Sequence, residues 1–134
     1  ELADLAFYAY RDLNRVDAEP FLKAALERCP VAIEAAAAAR LSDDSLIAKV
    51  KAMPDESIYD EDGRLAQPDE VWNYGRGDGV EKAVLLASVL RARQPGKPIT
   101  VRVAPHFAEV EANGRTVSFG STKGLHEQTW DCGS

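Results

Sequence analysis

Apolar positions follow a helical period through the first two thirds of this chain and switch to a strand-like alternation after residue 98. Leu2, Leu5, Ala6, Ala9 and Leu13 recur at helical spacing and predict an amphipathic helix over residues 1–14, with Phe7, Tyr8 and Tyr10 adding aromatic bulk for packing onto the core. Asp17 as a cap and Pro20 in an early turn predict a second helix, through Phe21, Leu22, Ala25 and Leu26 to about Cys29. Residues 31–41 are rich in alanine, the best helix former, whose small side chain lets a helix lie close against its neighbour. Ser42 caps a further helix with Asp43 and Asp44 in its first turn and Leu46, Ile47 and Val50 along it, until Pro54 stops it. These three or four short helices form either a small helical subdomain or a layer against the downstream core.

Residues 68–73 read as a helical turn that leads into a glycine-rich loop, Gly75-Arg76-Gly77-Asp78-Gly79, and then into the most apolar segment of the chain. Asp78 followed three residues later by Glu81 is a capping-box pattern, so a helix is predicted to start at Asp78. Val80, Ala83, Val84, Leu86, Ala87 and Leu90 make one stripe, and Leu85 and Val89 widen it beyond that of a surface helix. This helix is therefore expected to be central. Gln94-Pro95-Gly96-Lys97-Pro98 breaks it, residues 99–103 alternate as a strand, and Asn113-Gly114 between two extended runs predicts a β-hairpin with a two-residue turn. That turn sets a register: Ala112 opposite Arg115, Val110 opposite Val117, Ala108 opposite Phe119 and His106 opposite Ser121, all on one face. The predicted fold is α+β, one domain over residues 1–134, with a helical part at 1–54 and a central helix packed on an antiparallel sheet at 68–122.

Composition narrows the chemistry. With 134 residues, 46% hydrophobic and 28% charged, the chain has an ordinary globular make-up. Sixteen Lys and Arg against 22 Asp and Glu give a net charge of −6, which opposes binding to nucleic acid and to anionic membranes, and no apolar run reaches the length of a membrane span. The expected partners are proteins or peptides. Two cysteines, Cys29 and Cys132, and two histidines show no metal-ligand spacing, so neither metal nor cofactor is expected. Asp60-Glu61-Asp62-Gly63 lacks the remaining positions of a calcium loop and reads as a solvated turn, and His126 reads as a surface residue. No GK[ST] follows the glycine-rich loop, and Glu81 would place negative charge where phosphate should sit. Asp78 of Arg76-Gly77-Asp78 is better used as a helix cap than in adhesion.

The loop and helix, followed by His106-Phe107-Ala108-Glu109-Val110, Asn113-Gly114-Arg115 and Phe119-Gly120-Ser121-Thr122, resemble the core of transglutaminase-like, papain-related domains over roughly residues 68–122. In that family a cysteine in the first helical turn gains thiolate character from the helix N-terminus and from a nearby histidine, which an acid orients. The resemblance places the nucleophile at Gly79, the histidine at His106 and the acid at Gly120, or at Ser121 by the hairpin register. Gly79 has no side chain to act as nucleophile, and Ser121 adds no negative charge beside an imidazolium. The resemblance thus implies a catalytically degenerate domain that binds or scaffolds proteins, with Trp72, Tyr74 and Arg76 at the rim of a cleft between loop 75–79 and His106. Two alternatives stand beside it: an active cysteine-type hydrolase or acyltransferase with displaced catalytic residues, Cys29 or Cys132 supplying the thiol, and a helical adaptor that uses residues 2–53 as its contact surface.

Overall fold

Asp78 holds an extended backbone (φ −64°, ψ 160°) and starts helix α3 (Gly79–Arg93) in the computed structural model, which describes residues 33–59 and 65–133 apart from 36, 38, 95, 113, 124 and 126. Both halves of the capping box form, and every residue from Gly79 to Leu90 is buried. Such burial needs cover all round: α1 (Asp43–Ala52) and α2 (Pro68–Tyr74) pack on α3 together with all four strands of a sheet. Val80, Val84, Leu85 and Leu86 are fully enclosed, each contributing about 2 kcal/mol of transfer free energy.

Ser42 caps α1 by accepting a hydrogen bond from Ser45 N, and Leu46 and Val50 turn into the core. Pro68 stands at the start of α2, where a missing N–H costs nothing. Ahead of α1, Ile33, Glu34, Ala35 and Ala37 are helical and Arg40 turns the chain with a φ of 53°.

The sheet consists of β1 (Ile99–Ala104), β2 (Phe107–Ala112), β3 (Arg115–Gly120) and β4 (Gln128–Gly133), antiparallel throughout and ordered β3-β2-β1-β4. Ala112 faces Arg115, Val110 faces Val117 and Ala108 faces Phe119, as the Asn-Gly turn predicts; Gly114 takes a φ of 76° there. Val101, Val103, Ala108, Val110, Val117, Phe119, Trp130 and Cys132 are buried on the side of α3. The opposite face carries Arg102 and Glu109, which pair across strands at 3.1 Å. Along the β3 edge, α1 supplies cover: Lys51 Nζ donates to the Ser118 carbonyl at 3.1 Å and Asp44 pairs with Arg115 at 2.6 Å, so an edge that would template further strands is partly occupied.

Three sequence expectations are corrected or extended. His106 lies on the two-residue Pro105-His106 turn between β1 and β2, not on the strand, because Pro105 has no N–H for the ladder and ends β1. Its side chain is exposed and does not share the buried face of Ala108 and Val110. The C-terminal segment forms a fourth strand that makes β1 central. The helices predicted over residues 1–14 and 17–29, Cys29, the acidic turn Asp60-Glu61-Asp62-Gly63, Asn113 and His126 lie outside the described residues.

Candidate functional site

The resemblance draws attention to Gly79, and the structure seats this residue against backbone. A Cβ built there would stand 2.1 Å from the Gly120 carbonyl oxygen, 2.7 Å from its carbon and 3.0 Å from Phe119 Cβ. Gly120 pairs with Phe107, and Ser121 N donates to the His106 carbonyl at 2.9 Å. The positions of Gly79, His106, Gly120 and Ser121 thus gather at one end of the sheet. They meet through their main chains, with the space for a side chain at position 79 filled by the carbonyl of Gly120.

Asp78, 2% exposed, binds this junction together. One carboxylate oxygen accepts from Val80 N at 3.0 Å and from the Ser121 hydroxyl at 2.7 Å; the other accepts from Thr122 N at 2.8 Å and the Thr122 hydroxyl at 3.2 Å. Ser121 therefore donates to an acid at the helix start and not to His106, so it orients no imidazole.

Glu81 plays a parallel part on the other side of the helix start. Its carboxylate accepts from Asp78 N at 2.7 Å, closing the cap of its own helix, and from Ala66 N at 2.6 Å and the Ser57 hydroxyl at 2.8 Å, drawing two distant segments onto that turn. Burial pushes this carboxyl above its ordinary range, opposed in part by the Ala66 and Asp78 N–H groups, the Ser57 hydroxyl and the Lys123 cation. Lys82, 1% exposed, sends its ammonium to the Met53 carbonyl at 3.1 Å and to the Asp55 carboxylate, and lies 5.6 Å from the centre of the Phe119 ring. Lys123, likewise buried, donates to the Tyr59 carbonyl at 2.9 Å. Tyr59 in turn donates its hydroxyl to Glu70 at 2.5 Å.

Beside this network lies a polar cavity of about 570 Å3, lined by residues 55–59, Arg76, Thr122 and Lys123. Arg76 reaches it and pairs with Glu56 at 3.5 Å, with both side chains partly in solvent. Of the three residues expected at a binding rim, Arg76 alone lines the cavity. Trp72 is half-buried against the core with Lys49 Nζ 5.2 Å from its ring centre, and Tyr74 is 65% exposed. Two residues apart on a helix means about 200° around it, so Trp72 and Tyr74 leave α2 in nearly opposite directions.

Cys132 is a buried free thiol on β4, pushed up to about 12 by burial and by Asp131, which disfavours the thiolate a nucleophile needs. Among the described residues no three of His, Cys, Asp and Glu gather to hold a metal, and no helix is long and apolar enough to cross a membrane.

The groups that organise this region are mostly ones to which the sequence pattern assigns no role: Ser57, Lys82 and Lys123, with Thr122 marked only as part of the segment 119–122 and Glu81 as a capping residue and a negative charge at the helix start. A sequence cue exists for Lys82 and Glu81, since two charges inside an otherwise apolar helix must find partners if every face is covered. No comparable cue singles out Ser57 or Lys123, whose partners lie 24 and 64 residues away. No protein-family model, curated protein or solved structure matches this chain.

Proposed function

We propose that the chain is a catalytically silent, transglutaminase-like domain that binds a protein or an extended peptide. The observation that carries this reading is the Gly120 carbonyl in the place of a side chain at position 79: the spot where the resembled enzymes hold their nucleophile is closed by backbone packing. The rest of the chemistry is diverted in the same direction. Ser121 serves Asp78, the His106 side chain stands in solvent, and the Cys132 thiol is buried and disfavours ionisation. Asp78 and Glu81, the acids at the helix start, are taken up in holding segments together.

Binding then falls to the surface beside the closed position. Arg76 lines the polar cavity, can exchange its exposed contact with Glu56 for a ligand oxygen, and offers charge-assisted hydrogen bonds that are stronger than neutral ones. Tyr74 presents apolar area nearby in the chain, at the end of α2. Trp72 contributes by holding α2 in place rather than by touching ligand, given its contact with the core.

The test has two arms on the purified domain. Amidase, esterase and amine-incorporation assays should show no turnover. A displayed peptide library should yield binders whose affinity falls about tenfold on Arg76→Ala, the loss of one charged hydrogen bond, while the thermal midpoint is unchanged. Binders indifferent to both Arg76→Ala and Tyr74→Ala would overturn the assigned surface. Turnover abolished by Cys132→Ser or Cys29→Ser would overturn the non-catalytic reading in favour of a displaced nucleophile.

A further inference from the structure

We draw no further inference here: the strongest candidate, the groove between α1, the C-terminal half of α3 and the β2–β3 hairpin, floored by Ile47, Leu90, Val110 and Val117, carries nothing because its rim acids Asp43 and Asp44 already pair with Arg93 and Arg115 and nothing in the structure shows what covers it.

Discussion

Alanine is the better helix former, by about 1 kcal/mol in a helix interior and by less at a first helical position such as 79, and packing opposes it there. With the added carbon 2.1 Å from a backbone oxygen, either the start of α3 or the end of β3 must move, at the ~1–3 kcal/mol that overpacking costs. Gly79→Ala should therefore destabilise the domain in chemical denaturation, while Gly120→Ala, whose new carbon meets nothing within 4 Å, should change stability by no more than ~0.5 kcal/mol. A stabilised Gly79→Ala variant would show that helix and strand do not meet as described. The same contact governs any attempt to install a cysteine at position 79, since the sulfur cannot reach a catalytic pose without first displacing Gly120. At Glu81 the expectation concerns pH. Its carboxyl is raised by burial above the unfolded value of 4.5, so the folded state holds that proton more firmly than the unfolded one. The contribution of this group is fully present below pH 4.5 and is lost as pH rises through the raised folded value. Glu81→Gln removes that slope and also leaves donors unmatched, at roughly 1–3 kcal/mol. The stability gap between parent and variant should be widest in acid and should narrow as pH rises past 4.5. A gap that widens with pH would mean that the three donors outweigh burial.

At the scale of elements, the helical-adaptor alternative requires a free contact face on α1. Leu46 and Val50 of α1 are fully buried in the core, and its charged side secures the β3 edge through Asp44 and Lys51. Leu46→Ala should cost about 2–5 kcal/mol in urea unfolding, the range for a buried leucine truncated to alanine. A cost under ~1 kcal/mol would mean that α1 is detachable and free to serve as a contact surface. Most elements were legible from local patterns. Asp78 with Glu81, Ser42 with Asp43 and Asp44, and Asn-Gly between alternating runs each act within a few residues, where the chain's own geometry dictates the partner. The fourth strand has a weaker signature, although Trp130 and Cys132 alternate with Thr129 and Asp131. Its partner β1 lies about 30 residues earlier, and no turn chemistry announces a pairing across such a distance.

The described residues are held together at two levels, an apolar core around α3 and a set of charged groups at one end of that helix. Cys132 reports on the first. Its thiol is 2% exposed and pushed up to about 12, so in a Cys29→Ser background alkylation at pH 8 should be slow and should follow global unfolding as denaturant is added. Fast labelling of the native protein would place β4 outside the stable core. The second level is where sequence and structure part. The amino-acid pattern is enough to set the central helix and its cap, the hairpin and its register, and the α+β class, because each depends on short-range periodicity, capping or turn geometry. It also determined that Gly79 carries no nucleophile. Long-range packing fills the space at Gly79 with Gly120, turns His106 out to solvent beside Pro105, and brings the Ser121 hydroxyl to Asp78. It also decided that Glu81, Lys82 and Lys123 are buried with partners far along the chain. Those facts depend on which distant segments meet at the start of α3, and a buried charge is tolerated only where such a meeting supplies its counterpart.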